Sequence, residues 1–375
     1  MKKSINLVFV WVLLVTAANP GLAEEVATPN TTGMRVKVLN RSIQPVIKCD
    51  KLWENFCINL TTVIKVGDEW RAWYESYDQD YKSDNDALYC YATSKDGLNW
   101  TKPNLGLVDY KGSKNNNIFL APASLGGMAG ATIFIDAAAP EAERYKMNFV
   151  RMLKVPPNMS FGDDNPDWRI LGATSADGLH WTMLEQPLLR RLADTQNVCF
   201  RDGDIYRLYC RMWRTDGRGG GDTRRRVVGY SESKTFGDFP SPKQILQADE
   251  NDPDDMDFYN SAAVKLRDDL YLMFPSAFTH GDDLVVPQVA ASRDGKHFTR
   301  LNDRKPILPL GKGFDSKCIY VMPGATPADK PSTWWIYYLG CDFKHGESIP
   351  KRIKYRGAVG RALIEVEGTL PEETK

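Results

Sequence analysis

The stretch that decides the fold is Tyr89-Cys90-Tyr91-Ala92-Thr93-Ser94-Lys95-Asp96-Gly97-Leu98-Asn99-Trp100, an apolar strand that runs into a Ser-x-Asp-Gly turn and ends on an aromatic residue. Asp-Gly favours a turn because glycine tolerates positive φ, and the closing aromatic packs back on the sheet. The stretch therefore predicts a β-hairpin. The same pattern returns at Ser175–Trp181 and Ser292–Phe298, with a degraded copy at Ser233–Phe239.

A second repeated strand lies upstream of each turn. A pattern with this period indicates repeated supersecondary units, and the chain contains five of them. The fifth has a third strand at Gly357–Ala362 but no Ser-x-Asp-Gly turn. The five upstream strands are Trp70–Tyr74, Tyr145–Phe149, Tyr206–Cys210, Leu270–Phe274 and Trp334–Tyr338.

Each unit is predicted to be a sheet of four antiparallel strands, and a ring of five such sheets is an all-β, five-bladed β-propeller. We predict one propeller domain over residues 34–370, with an early strand between Met34 and Ile47 that completes the fifth sheet and closes the ring. Ring closure removes exposed sheet edges. The predicted inner strands are Phe56–Val66, Ala131–Ile135, Asn197–Phe200, Ser261–Leu266 and Cys318–Met322.

The composition excludes a strong net electrostatic field around the protein. The 375 residues are 42% hydrophobic, and 48 Lys and Arg balance 48 Asp and Glu. A nucleic-acid partner is therefore not predicted.

The first 23 residues are predicted to be a secretory signal peptide. Lys2 and Lys3 precede an apolar run from Ile5 to Ala18, and Gly21-Leu22-Ala23 is a small-x-small cleavage site. The run is too short for a typical membrane span. We expect a linker over residues 24–33 and a secreted or periplasmic protein without a membrane-spanning segment after cleavage.

Seven cysteines follow the predicted cleavage site, an odd number that leaves at least one thiol unpaired. None forms a CxxC pair, so a zinc site is not predicted. We expect buried thiols, with one or two disulfides as the alternative.

The functional face should carry the long loops between the second and third strands, because function on a rigid scaffold resides mostly in variable loops. The repeated turns on the opposite face are interpreted as structural. The five long loops are predicted at residues 75–87, 151–168, 211–226, 276–284 and 341–356.

Carboxylates stand near the start of four of the five inner strands, where a propeller has the mouth of its central channel. Converging carboxylates are what glycosidic bond cleavage requires, one protonated as the acid and one ionised as base or nucleophile. Alternatively, these groups bind a structural calcium ion or only hydrogen-bond the inner strands; no other cofactor is predicted. The proposed catalytic set is Glu54, Asp194, Asp257 and Asp315.

Aromatic, cationic and imidazole side chains near the same mouth are candidate substrate-binding groups. Aromatic rings stack on sugars, whereas Lys, Arg and His orient substrate or tune a carboxyl pKa. The basic stretch Arg214–Arg226 is interpreted as a solvated flexible loop, with contact to an anionic polysaccharide as the alternative. The substrate-binding candidates are Trp53, Tyr77, Arg211, Trp213, Tyr259, His280, Lys317 and His345.

Residues Ala92–Val108 followed by Gly112–Ile118 resemble the signature of secreted bacterial five-bladed propellers similar to glycoside hydrolase families 32 and 43. Tyr145–Met147, Ser292–Gly295, and Leu308–Gly311 with Phe314–Ser316 match later parts of that pattern, so the resemblance extends from about residue 50 to 365.

The resemblance implies cleavage or transfer of glycosidic bonds by acids on the inner strands of the first three blades. Glu54 or Asp50 matches the first acid and Asp194 the third, but Ala129–Thr132 offers no second carboxylate. Either the set has moved to blades four and five, with Asp257 and Asp315, or hydrolysis has been lost.

The sequence thus favours a glycoside hydrolase acting on a polysaccharide or oligosaccharide. The alternative is a carbohydrate-binding propeller without catalysis. A protein-interaction scaffold is disfavoured, because it would carry apolar rather than acidic residues at the channel mouth.

Overall fold

The computed structural model describes residues 33–83, 86–121, 127–153, 168–191, 193–215, 224–348, 350, 353 and 356–370. The predicted signal peptide, and the predicted linker apart from Gly33, lie outside the described residues. Within them the chain is almost entirely β, with short 3-10 helices at Leu52–Glu54, Glu141–Glu143 and Asn302–Arg304.

The strands follow one another with short connections. In chain order they are β1 (Met34–Arg41), β2 (Cys57–Val66), β3 (Glu69–Tyr77), β4 (Leu88–Ser94), β5 (Trp100–Thr101), β6 (Ile118–Leu120), β7 (Ala129–Ile135), β8 (Tyr145–Met152), β9 (Trp168–Ser175), β10 (Thr182–Met183), β11 (Val198–Asp202), β12 (Ile205–Thr215), β13 (Arg224–Ser233), β14 (Lys243–Leu246), β15 (Met256–Arg267), β16 (Leu270–Thr279), β17 (Leu284–Pro287), β18 (Ala290–Ser292), β19 (Thr299–Arg300), β20 (Cys318–Val321), β21 (Thr326–Pro327), β22 (Thr333–Cys341) and β23 (Ala358–Gly368).

These strands form the predicted five-bladed β-propeller. The first three blades are β2-β3-β4-β5, β7-β8-β9-β10 and β11-β12-β13-β14, and β6 adds to the first beside β4. The fourth is β15-β16-β18-β19 and the fifth is β20-β22-β23-β1. A parallel bridge from Val285 in β17 to Cys318 in β20 joins these last two blades into one continuous sheet.

Strand β1 is the outer strand of the fifth blade, as expected. It pairs antiparallel with β23, from Met34 opposite Gly368 to Arg41 opposite Ala362. The strand is shorter than predicted, because after Arg41 the chain leaves the continuous ladder. It then meets β23 through the Ser42 and Val46 N–H groups and an isolated bridge from Ile47 to Val359.

Two other strands are longer than predicted, which shortens the functional loops. Strand β15 begins at Met256 rather than Ser261, so Asp257 belongs to the sheet and not to a loop at the channel mouth. Strand β16 continues to Thr279 and takes in the first part of the loop predicted at residues 276–284.

The Ser-x-Asp-Gly turns connect neighbouring blades. The Gly97 carbonyl accepts a hydrogen bond from the Tyr337 hydroxyl at 2.9 Å. The Gly178 carbonyl accepts one from the Trp73 indole at 2.7 Å, and the Gly295 carbonyl one from the Tyr209 hydroxyl at 2.8 Å. Each donor belongs to the second strand of the preceding blade, so the repeated turn is a structural element, as interpreted from the sequence.

The degraded turn in the third blade makes its contact by packing instead. Phe236 lies edge-on to Phe134 of the second blade, with ring centroids 5.6 Å apart, and also packs against Tyr206. Apolar contact thus replaces the buried hydrogen bond at this blade boundary.

A side chain from the third blade links the first three blades. The Gln196 amide is buried and donates to the Thr61 carbonyl of the first blade at 3.4 Å and to the Ala131 carbonyl of the second at 3.3 Å. The inner strands of these blades are therefore tied together near their beginnings.

We expect Gly97→Ala to destabilise the fold much more than Gly67→Ala. Both glycines have positive φ, of 70° and 59°, which costs an alanine about 1 kcal/mol. A Cβ at position 97 would also lie 2.4 Å from the Tyr337 hydroxyl, whereas nothing lies within 4 Å of one at position 67. Urea unfolding should show a loss of about 3 kcal/mol for Gly97→Ala. Equal losses would contradict a structural role for the turn contact.

Candidate functional site

A cavity of about 470 Å³ lies above the Gln196 side chain, at the ends of the blades where the inner strands begin. All five blades contribute to its wall. Its carboxylates are Glu75, Asp194 and Glu347. Its aromatic and imidazole residues are Phe56, Tyr77, Tyr81, Trp168, Tyr259, Tyr320, Phe343 and His345.

Glu75 is the buried carboxylate of the cavity. It projects from β3 and is 1% exposed. Its Oε1 accepts hydrogen bonds from the Tyr89 hydroxyl at 2.7 Å and from the Gly130 backbone N–H at 2.5 Å. Its Oε2 accepts one from the Asn59 amide at 3.1 Å. These hydrogen bonds hold the carboxylate in place in the cavity wall.

Gly130 explains why the second blade supplies no acid. Its φ is +64°, and a Cβ there would lie 2.4 Å from the backbone oxygen of Thr195 in the third blade. No side chain fits at this position. The Glu75 carboxylate instead reaches the Gly130 N–H from the first blade, so an acid still lies beside the start of the second inner strand.

Asp194 is a solvent-reachable carboxylate of the cavity, with 42% of its side chain exposed. The Arg211 Nη1 donates to it at 2.7 Å, and the Arg211 side chain is 2% exposed. Arg211 is itself fixed by a hydrogen bond from Nε to the Tyr259 carbonyl at 3.1 Å, and its guanidinium lies 4.3 Å from the centre of the Tyr259 ring. Asp194 therefore has a positioned cation beside it.

His345 contributes a neutral imidazole to the wall. Burial lowers the pKa of His345 to about 4, and the charges of Arg226 and Arg211 lower it further than nearby carboxylates raise it. Its Nδ1 is hydrogen-bonded to the Tyr320 hydroxyl at 2.8 Å, and its ring packs edge-on to Tyr259 at 4.2 Å. At neutral pH this ring can hydrogen-bond a ligand hydroxyl without carrying charge.

An aromatic wall bounds the cavity at the first blade. Phe56 and Tyr81 are stacked with ring centroids 4.8 Å apart, and Tyr77 meets Tyr81 edge-on at 5.6 Å. A sugar presents apolar C–H faces to such rings and hydroxyls to polar groups.

Glu54 and Trp53 lie outside this cavity. Glu54 is fully buried, with the Lys102 ammonium at 2.7 Å from Oε2 and the Tyr74 hydroxyl at 2.7 Å from Oε1. Asp50 binds the same ammonium at 2.8 Å. The Trp53 indole donates to the Asn117 amide oxygen at 2.8 Å. This group ties the 3-10 helix Leu52–Glu54 to the first blade.

Buried Asp257 and exposed His280 form a second cluster, and neither residue lines the cavity. Oδ2 of Asp257 accepts hydrogen bonds from the backbone N–H and Nη1 of Arg226 at 3.0 and 3.1 Å, and lies 3.1 Å from Nε2 of His280. The Arg226 guanidinium lies 5.0 Å from the Trp213 ring centre. The cluster braces β13 against β15.

Asp315 and Lys317 lie at the edge of the fifth blade, away from the cavity. Asp315 is buried in an ion pair with Arg41, at the end of β1, and accepts a hydrogen bond from the Tyr338 hydroxyl at 3.2 Å. Lys317 is exposed, and its backbone N–H donates to the Cys341 carbonyl at 2.9 Å.

The structure brings four of the residues predicted from the sequence to the cavity wall: Tyr77, Asp194, Tyr259 and His345.

Glu75 is the cavity residue that sequence reasoning did not select. It was counted in the loop predicted at residues 75–87, whereas β3 continues to Tyr77. Trp73 and Tyr77 stand two residues before and after it, and both belong to a buried cluster. Alternate residues of a strand share a face, so an acid placed between two buried aromatic residues indicates a buried acid. This pattern could have identified Glu75 from the sequence.

Metal and membrane features are not evident in the described part of the chain. No group of three or more His, Cys, Asp or Glu side chains there has the arrangement of a metal site. Among the same residues, no helix has the length and apolar character needed to span a bilayer.

No protein-family model matches the chain, and no curated protein matches it. Solved structures do match. An N-acetylgalactosamine deacetylase from F. plautii, bound to blood group B trisaccharide, has a TM-score of 0.56 at 14% identity, over 89% of this chain and 94% of that chain. A glycosyl hydrolase from Bacteroides ovatus has a TM-score of 0.55 at 14% identity, over 88% and 94%. The catalytic domain of a GH62 α-L-arabinofuranosidase from Coprinopsis cinerea has one of 0.54 at 11% identity, over 86% and 95%.

These likenesses establish the fold, and the neighbours include glycoside hydrolases. At such low identity they do not carry a reaction or a substrate to this chain. The deacetylase among them shows that the same architecture also occurs in a protein named for a different reaction.

We expect Glu54→Gln to reduce stability by about 3 kcal/mol, because the buried Lys102 ammonium loses a buried counter-charge. The control is Glu367→Gln, which removes an ion pair to Lys37 whose two side chains are 51% and 44% exposed and should cost less than about 1 kcal/mol. Chemical unfolding of both variants measures the difference. A Glu54→Gln protein as stable as the control would show that this ion pair is not structural.

We expect the His345 imidazole to titrate near pH 4, below its ordinary value of 6.5. In the unfolded chain the imidazole of His345 becomes protonated below about pH 6.5, whereas in the folded protein it becomes protonated only below about pH 4. This group therefore lowers the free energy of unfolding as pH falls through that window. NMR titration of the imidazole signals, assigned with His345→Gln, measures the pKa directly, and a value of 6 or above would contradict the assigned environment.

Proposed function

We propose that the protein is a glycoside hydrolase whose reaction takes place in the central cavity, with Glu75 and Asp194 as the carboxylate pair. The observation that carries this proposal is the presence of a buried and a solvent-reachable carboxylate in one cavity that also has an aromatic wall. A pair of carboxyl groups in different environments is what acid and base roles require.

The two environments favour different roles. Burial favours the neutral form of a carboxyl group, so Glu75 is assigned as the general acid. Hydrogen bonds to both of its oxygens fix the Glu75 carboxyl group in the cavity wall. Asp194, which is solvent-exposed and paired with Arg211, is assigned as base or nucleophile.

The cavity wall supports a saccharide ligand. We infer that a sugar ring packs against Tyr77 and Tyr81 while its hydroxyls meet the neutral His345 ring. Arg211 and Arg226 are each already paired with a carboxylate, which favours a neutral over an anionic sugar. The middle of the basic stretch, residues 216–223, lies outside the described residues.

Location and architecture complete the proposal. The signal-like residues 1–23 support a secreted or periplasmic enzyme with one propeller domain over residues 34–370, acting on a poly- or oligosaccharide. These assignments rest on the sequence pattern, and a calcium ion remains the cofactor alternative raised by that pattern.

A second candidate is a carbohydrate-binding propeller without catalysis. It is favoured by two departures from the pattern of the resembling family: Gly130 offers no second-blade acid, and neither Glu54 nor Asp50 lines the cavity. In that case the hydrogen bonds to Glu75 serve only to join the first two blades.

The test is glycan turnover by the chain from Glu24 onward, screened on neutral, uronic and sulfated saccharides for both reducing ends and released acetate. We expect reducing-end release that falls about 10³-fold in kcat for Glu75→Gln and for Asp194→Asn, because each removes one proton-transfer group. Asp315→Asn, remote from the cavity, is the activity control, and circular dichroism checks its folding. Glycan binding that survives both cavity substitutions without any turnover would establish the binding candidate instead.

A further inference from the structure

Three cysteines line the cavity on the side of the fifth blade and the adjoining edge of the first. They are Cys57, Cys318 and Cys341, and the two on the fifth blade are buried. All seven cysteines lie among the described residues and are present there as thiols. The proposed hydrolysis uses none of these groups.

Cys318 and Cys341 stand directly opposite each other on neighbouring antiparallel strands, Cys318 on β20 and Cys341 on β22. Opposed residues in such a pair have Cα atoms about 4.5 to 5.5 Å apart. Disulfides bridge Cα separations of about 4.4 to 6.8 Å. The backbone therefore already places these two residues at bridging distance.

The other cysteines are less well placed. Cys57 lies on the first blade and forms a parallel bridge with Arg356, whereas the strand register pairs Cys318 with Cys341. Cys199 and Cys210 share a buried cluster, but Cys199 is opposite Leu208. That two-residue offset puts their Cα atoms about 7 to 8 Å apart, beyond disulfide reach.

We propose that Cys318 and Cys341 form a disulfide in the cavity wall when the protein meets a disulfide oxidant such as glutathione disulfide. One cysteine thiolate attacks the oxidant, forming a mixed disulfide and releasing one glutathione thiol. The second cysteine then attacks its partner's sulfur and releases the other glutathione. The two protein thiols lose two electrons and two protons, and the oxidant is reduced to two thiols.

The buried environment of the two thiols slows this oxidation. The disulfide that results would affect the cavity wall. Burial raises the pKa of Cys318 to about 11, and that of Cys341 rises as well, so little thiolate is present at neutral pH. The bond would clamp β20 to β22 beside the opposed pair Tyr320 and Leu339, both of which line the cavity. Tyr320 is also the partner of His345. This inference does not depend on the proposed hydrolysis.

The experiment equilibrates the full mature chain with glutathione disulfide at pH 8.5, then alkylates it with N-ethylmaleimide in denaturant and determines its mass. We expect five alkylated cysteines, against seven after reduction. Peptide mapping should show one crosslink, between the Cys318 and Cys341 peptides. Oxidation should also raise Tm by about 5 °C, because the bond closes a loop in the unfolded chain.

Two variants serve as controls. Cys318→Ser should retain six alkylated thiols under oxidation and lose the Tm shift, whereas Cys199→Ser should keep the crosslink. Seven alkylated thiols in the oxidised wild type, or a crosslink through Cys57, would overturn the proposal. If Cys318→Ser fails to fold, the wild-type peptide map decides alone.

Discussion

The hydrogen bond from a buried aromatic side chain to a turn glycine carbonyl is the interaction on which the blade arrangement depends. It occurs at three blade boundaries, with Tyr337, Trp73 and Tyr209 as donors. Each turn is fixed internally by its serine, whose Oγ accepts the glycine N–H at 2.8 to 2.9 Å. The backbone N–H groups of Asn99 and Leu98 hold the pKa of Asp96 well below its usual range, so that turn stays anchored by a carboxylate.

These contacts determine how the inner strands meet. Because a single orientation satisfies each buried donor, neighbouring blades cannot rotate freely against one another. The fixed orientation brings the third blade close enough for Gln196 to reach the first and second. The first three blades also contribute to the cavity wall, so the shape of the cavity depends on how the blades are oriented.

The carboxylates of the molecule fall into two groups that sequence alone does not separate. Glu54, Asp257 and Asp315 are buried beside a lysine or arginine, which compensates the loss of hydration. Glu75 is equally buried, but it lines the cavity and accepts hydrogen bonds from a phenol, an amide and a backbone N–H. Contact with the cavity, rather than burial or position along the strand, distinguishes a structural acid from a candidate for chemistry.

The fold could be predicted because its signal lies in short stretches of sequence and because the strand pattern occurs five times. A turn with its flanking strand is visible within a dozen residues, and repetition then implies the propeller. The candidate site was predicted only in part. Asp194, Tyr77, Tyr259 and His345 lie at the cavity as expected, whereas Glu75 is there because Gly130 approaches Thr195 of another blade. Such an approach involves residues 65 positions apart, and no local pattern records it.

The pairing of β1 with β23 sets the order in which the molecule can be completed. Lys37 and Glu367 face the same ladder although 330 residues separate them. The earliest strand must therefore wait, unpaired, until nearly the whole chain has been synthesised. Closure of the ring is therefore a late step that depends on the two ends of the chain meeting, so a change near either end of this ladder acts on the last stage of folding.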